Sequence, residues 1–332
     1  MILISPVINH TIIQNYAPIL EGKVLRNNKL KQRKYEGMII DYIANNLNLL
    51  RDYIIDIQNI LYQNIMAYTL FMFFVGMCFA SFSGVIVYRI PIINNWFAEN
   101  KDQITLNTRS SCNHCKHKLN ILSLIPFFGY LFYKGKCFNC HGKIPYIYPL
   151  LELISGIICG LISFVYGPCG DSFFYISIYF FGLTIAWIDW NEGIIPDCLT
   201  LPLISIGLLY SPLENDILLK NEGMITGGFI FIISFWLLGK YKKMDLMSMG
   251  DVMLIAAIGS IIGQVNIIIY IIFSAIIYMI YIIFIQYVLR IKWRPNHEDI
   301  LINEQTDLNY YPMGPSLVFS FFLYVIYLLI IK

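Results

Sequence analysis

From Val252 to Leu289 the chain carries no Asp, Glu, Lys or Arg. About 20 apolar residues suffice for a helix to cross roughly 30 Å of hydrocarbon, so this stretch is too apolar for water and too long for one crossing. It divides at Gly263-Gln264-Val265-Asn266 into 252–263 and 265–289. Similar runs lie near 66–87, 147–166, 172–188, 194–211, 223–239 and 311–331, making about eight candidate spans. Only helices and closed barrels satisfy their backbone groups in lipid, and blocks of this length predict an all-α polytopic membrane protein. Only 13% of residues are charged, against roughly 25% in a soluble domain, and the mean hydropathy is +0.64. An ordinary cytosolic enzyme and a disordered chain are therefore excluded. A net charge of +2 excludes nucleic-acid binding through bulk charge, leaving membrane lipid as the expected surroundings.

Basic residues orient the spans, because short cytoplasmic loops carry the excess of Lys and Arg. Residues 88–146 hold eight of them, 240–251 three and 290–310 three, whereas the opposite loops and C-terminus hold only Lys220 and Lys332. The long loop after the first span is thus expected on the cytoplasmic side. Residues 1–65 fit this orientation poorly, since they hold seven basic residues. Ile39, Ile43, Leu47, Leu50, Ile54, Ile57 and Leu61 recur at three- and four-residue spacing, as in an amphipathic interfacial helix; a true start at Met66 is the other reading. No signal peptide is expected, because these residues lack a basic-then-apolar opening. The run Ile121–Tyr133 is apolar but short and contains Pro126 and Gly129, so it reads as packed or interfacial.

Cys112-Asn113-His114-Cys115 and Cys137-Phe138-Asn139-Cys140 are two C-x2-C knuckles. Four thiolates so spaced close a tetrahedral shell around zinc, and a reducing cytoplasm disfavours structural disulfides. A closed four-sulfur shell leaves no place for a reacting water, so the metal would be structural. Free thiols or redox pairs are the other readings, and His114, His117 and His141 read as surface histidines.

Ionisable groups at the edge of a span are costly and mark function. Asp189 lies in AWIDWNEGIIPDCLTLP, with Glu192 and Asp197 close by; Asp251 opens the sixth span in MSMGDVMLIAAIG; Glu152 lies in PLLELISG. The predicted topology sets Asp189 and Asp251 at the same membrane surface. Two carboxylates brought together share a proton and titrate as a pair, one activating water while the other donates to a carbonyl. The plainer reading makes them helix-end charges facing the amide dipole, and Asp197 a cap after Pro196.

FASFSGVIVYRIP at 79–91, RSSCNHCKHKL, LIPFFGYLFYKGKCFNCHGKIPYIYPLLELISG, IDWNEGIIPDCLTLP, MGDVMLIAAIG and YPMGPSLVF follow one another from about Gly76 to Tyr327. In this order and spacing the chain resembles the type IV prepilin leader peptidases, bacterial integral-membrane aspartic proteases of pilus and type II secretion systems. The resemblance implies cleavage of prepilin or pseudopilin leaders at the cytoplasmic face of the inner membrane, with Asp189 and Asp251 as the catalytic dyad. Many members also methylate the new N-terminus, which implies S-adenosylmethionine as a cofactor, although no G-x-G-x-x-G of the common type is present. The family's GxGD reads here Ser248-Met249-Gly250-Asp251, and its usual lysine two residues later is Met253. The expected division is an N-terminal extension at 1–65, the first span with the four-cysteine domain and second span at 66–166, and a peptidase domain at 167–332. A transporter or assembly protein would need its acids near the bilayer midplane, and a thiol oxidoreductase would need accessible low-pKa thiols.

Overall fold

The computed structural model of the protein describes residues 29–94, 96, 105, 108–112, 114–242, 248–290 and 311–331. It divides into two compact units, Met1–Gln63 and Asn64–Lys332. In the first, helix α1 (Lys29–Gln63) leaves Ile43, Leu47, Leu50 and Ile54 exposed, and Leu49, Tyr53 and Ile60 beside them.

The second unit is a bundle of α2 (Ile65–Ile93), α3 (Phe128–Phe132), α4 (Ile147–Tyr166), α5 (Gly170–Glu192), α6 (Asp197–Leu209), α7 (Ile217–Lys242), α8 (Met249–Ile283, continued by a π turn Phe284–Leu289) and α9 (Gly314–Ile331). Six of these helices are long and apolar enough to cross a membrane. Their outward faces remain apolar, with Phe71, Leu161, Ile225, Ile272 and Phe319 exposed; such faces suit lipid and not water. Ile121–Leu124 is a 3-10 turn followed by the five-residue α3, so the apolar run there does not span; Ile121, Leu122 and Phe132 are exposed, which fits the interfacial reading and not the packed one.

The split in the uncharged stretch falls where the sequence places it. Gly263 breaks α8 with φ 78 and ψ 173, a left-handed conformation that glycine adopts without steric cost. A straight helix would separate Asp251 from Tyr278 by about 40 Å at 1.5 Å per residue. Instead Tyr278 donates to the Tyr311 carbonyl at 3.1 Å, three residues before Gly314, whose N–H donates to Asp189, so the second leg of α8 doubles back toward the end where the first begins. With this reversal, and α3 apart, the described residues of the unit form eight apolar helical segments. Of these eight, two are shorter than the rest: α6 has 13 residues, and the first leg of α8 runs only from Met249 to the Gly263 break.

Bundle contacts follow small residues and buried hydroxyls. A Cβ at Gly259 would lie 2.3 Å from the Gly223 carbonyl, and one at Gly223 would lie 2.5 Å from the Gly259 carbonyl. Glycine at both positions lets the backbones of α7 and α8 touch, the usual device where lipid removes the hydrophobic drive for helices to associate. Ser83 on α2 meets Thr184 on α5 at 2.8 Å, and the fully buried Tyr270 on α8 donates to the Leu317 carbonyl of α9 at 2.8 Å. Each satisfies a polar group that would be costly to leave unpaired in apolar surroundings.

Candidate functional site

Helix α5 ends at Gly193, whose left-handed φ of 70 closes the last turn through its N–H to the Asp189 carbonyl at 2.8 Å. That turn holds Asp189 at 2% exposure. Asp251 sits in the first turn of α8 at 3% exposure, fixed in place because Gly250 backs onto Ile195; a Cβ there would lie 2.8 Å from the Ile195 Cβ. The two aspartates are brought within electrostatic reach of each other. Both lie at helix ends and not in mid-span, which disfavours a midplane transport site.

Each carboxylate has a donor. The Gly314 N–H, at the first residue of α9, donates to Asp189 Oδ2 at 2.7 Å. Ser248, which replaces the glycine of the GxGD pattern, hydrogen-bonds the Asp251 carboxylate through its side chain. The substitution therefore adds a contact to the acid it precedes. Tyr278 and Tyr281, nearly one turn apart on the second leg of α8, both feel the charge of Asp189, and Tyr278 donates its hydroxyl to the Tyr311 carbonyl at 3.1 Å. Sequence reasoning missed these tyrosines and Gly314. The run YPMGPSLVF was the only signal for Gly314, and nothing marked the tyrosines within an uncharged span.

The other acids separate. Asp197 is not the cap of α6: Pro196 holds that position, and Asp197 lies in the first turn, where its charge meets the helix dipole. Glu192 is buried at 5% exposure near the end of α5. Glu152 is half-buried on α4 and accepts the Phe127 N–H at 2.6 Å.

The four cysteines converge, with all sulfurs within 4.8 Å of one another. Cys112 and Cys140 lie 3.8 Å apart and Cys115 and Cys137 4.0 Å apart. A tetrahedron of Zn–S bonds of about 2.3 Å has sulfur edges of about 3.8 Å, whereas a disulfide needs about 2.05 Å. The two knuckles are built alike. Cys112 N–H donates to the His117 carbonyl and Cys137 N–H to the Gly142 carbonyl, each at 2.9 Å. Lys116 and His141, four residues after those cysteines, both take φ 57, and the bridges Ser111–Lys118 and Lys136–Lys143 close each loop at matching positions. Backbone N–H groups of Cys140 and Asn139 point at the Cys137 sulfur and lower its pKa to about 7. The set can hold a soft divalent ion, and His114, His117 and His141 are exposed beside it.

Residues 74–166 match the bacterial peptidase A24 N-terminal domain, and residues 176–283 match the type IV leader peptidase family. The chain is similar to the prepilin leader peptidase/N-methyltransferase of Vibrio cholerae, 30% identical over 254 residues, covering 74% of this chain and 92% of that protein. It is also similar to the enzyme of the same name from Neisseria gonorrhoeae, 30% identical over 57% of this chain and 72% of the relative. The type 4 prepilin-like proteins leader peptide-processing enzyme of Escherichia coli is 29% identical over 58% of this chain and 76% of its own length. No solved structure gives a significant match.

Proposed function

Because this chain belongs to the type IV leader peptidase family, we propose that it is a multi-pass membrane aspartic endopeptidase that removes the leader from prepilin-like or pseudopilin precursors, with Asp189 and Asp251 as its dyad. The observation that supports the reading is the burial of these two carboxylates at the end of α5 and the start of α8, near enough for the charge of Asp251 to act on Asp189. One carboxylate, ionised, takes a proton from water as the water oxygen attacks the scissile carbonyl carbon. The other, protonated, donates to the carbonyl oxygen. Collapse of the tetrahedral species breaks the C–N bond, and a proton from the dyad goes to the leaving nitrogen. The Gly314 N–H holds Asp189 in one orientation throughout, and the Ser248 hydroxyl does the same for Asp251.

The Lys and Arg bias of the loops supports a cytoplasmic catalytic face. The sulfur geometry supports zinc on Cys112, Cys115, Cys137 and Cys140 in a structural role, since four sulfurs fill its shell. The relatives' names support a second activity, methylation of the new N-terminus with S-adenosylmethionine. On this reading residues 66–166 form a metal-stapled domain, 167–332 the peptidase, and 1–65 an extension. The test is leader cleavage by the purified protein in detergent. Asp189→Asn and Asp251→Asn should each lower kcat by about 10²–10⁴-fold or more while the chain still inserts. Normal cleavage by either variant would remove that residue from the dyad.

A further inference from the structure

Toward its end, the second leg of α8 has two unlike faces. Met279, Ile280 and Ile283 are exposed and suit lipid. Tyr278 and Tyr281 are partly buried on the other side, their ring centroids 6.1 Å apart and their planes 25° from parallel. Residues three apart on a helix are neighbours on one face, so this leg carries both hydroxyls into the bundle at the end that holds the aspartates.

The two hydroxyls are used differently. Tyr278 donates to the Tyr311 carbonyl at 3.1 Å. The Tyr281 hydroxyl is shut off from solvent and has no hydrogen-bond partner among the described residues. A buried hydroxyl left unpaired is costly, native chains keep few of them, and a role in catalysis is one reason to keep one. This one lies near enough to Asp189 for the carboxylate charge to act on it, yet it is not among the groups that bond Asp189, whose Oδ2 is held by the Gly314 N–H. A phenol ionises near pH 10, so at neutral pH the group is a donor. The acceptor that chemistry brings to this place is the carbonyl oxygen of a peptide seated against the dyad, on which charge develops as water adds.

Resting on the peptidase reading above, we propose that Tyr281 is a further catalytic residue, whose hydroxyl donates a hydrogen bond to the scissile carbonyl oxygen as the tetrahedral species forms. The water oxygen bonds to the carbonyl carbon and its proton goes to the ionised aspartate. The carbonyl π pair moves onto oxygen, which takes the proton of the other aspartate. Tyr281 steadies that oxygen and keeps its own proton throughout. When the C–N bond breaks, the carbonyl re-forms and the dyad protonates the leaving nitrogen.

The test is Tyr281→Phe in the purified full chain in detergent, which keeps the ring and removes only the hydroxyl. Loss of one such donor lowers kcat by about 10²–10³-fold, and KM should stay within about threefold, as for a contact made only in the transition state. A kcat loss below about tenfold overturns the assignment. Because the hydroxyl is unpaired, its removal should hold or raise the thermal midpoint; a lowered midpoint would show a structural bond and overturn the proposal. Inhibition by two leader peptides gives a readout that a packing role would not move: one carries a hydroxyethylene group at the scissile bond, the other an ethylene group without the oxygen. Tyr281→Phe should weaken the first at least about tenfold and the second less than about twofold. Equal weakening of both, or of neither, overturns the proposal. Tyr287→Phe, 74% exposed on the π turn that follows, is the control and should stay within about twofold of wild type. Wild-type cleavage that Tyr281→Phe retains in full removes this residue alone. Normal cleavage by Asp189→Asn or Asp251→Asn instead removes the dyad, and this proposal with it.

Discussion

Replacing Gly314 with alanine tests whether the backbone of α9 positions the dyad. A Cβ at Gly314 would lie 2.7 Å from Asp189 Oδ2 and 2.9 Å from Asp189 Cβ and Cγ. Gly314 has no positive φ, so alanine suffers no backbone strain and the effect is steric. Ordinary carbon contacts are about 3.5–4.0 Å, which means that Asp189 or the start of α9 must yield by roughly 1 Å, stretching the 2.7 Å hydrogen bond. Overpacking of this kind costs about 1–3 kcal/mol, and a displacement near 1 Å at reacting groups costs up to about 10²-fold in rate. The assay is steady-state cleavage of a prepilin-like substrate in detergent, with kcat and KM measured separately. Gly314→Ala should lower kcat by about 10–100-fold with a smaller change in KM. Gly182→Ala is the control, because its Cβ would meet only the side-chain tips of Val318 and Phe322 at 3.0–3.2 Å on the same α5–α9 contact. It should lower stability slightly and leave kcat within about threefold. Wild-type kcat in Gly314→Ala, or equal losses in the two variants, would refute positioning of Asp189 by α9.

Ser248→Gly removes one hydrogen bond to the Asp251 carboxylate; such bonds contribute about 1.5–3 kcal/mol, so kcat should drop by about tenfold or more, and an unchanged kcat would show the hydroxyl to be idle. Cys112→Ser should lose zinc and lower the thermal midpoint more than it lowers kcat in the surviving protein, as metal analysis and melting curves would show; full zinc content in the variant contradicts a four-sulfur shell. Because Cys137 is lowered to about 7, its thiolate is present above that pH and lost below it. Zinc uptake by metal-stripped protein should therefore weaken as pH falls through about 7, read with a chromophoric chelator, and pH-independent uptake would contradict this. Gly259→Ala should loosen α7 from α8 by about 1–3 kcal/mol, measured as loss of detergent stability; wild-type stability would show that the two backbones are not in contact.

Much of the fold was legible because bilayer length is a coarse and demanding filter. The break at Gly263 follows from an uncharged run too long to cross once, and the four-cysteine cluster from ligand spacing. Asp189 and Asp251 were legible as acids at one membrane surface, though pattern alone did not separate a dyad from two helix-end charges. Gly314 was not legible, since its role is a backbone N–H aimed across 125 residues of sequence. Tyr278 and Tyr281 were hidden for the opposite reason: within an uncharged span they read as apolar filling, and only the reversal of α8 returns them to the aspartates. At Asp197, local rules favour an acidic cap, yet Pro196 takes the position in an extended conformation.

The two short segments have a consequence for the lipid. At 1.5 Å per residue, the 13 residues of α6 and the first leg of α8 reach about 20 Å each, some 10 Å less than the hydrocarbon thickness. They pack against each other, so the shortfall falls in one place. A bilayer meets such a deficit by thinning, which would draw the headgroup boundary down toward Asp251 at the head of the short leg. Water could then reach the carboxylates without a pore, and a substrate helix anchored in full-thickness membrane could present its leader junction where the membrane dips.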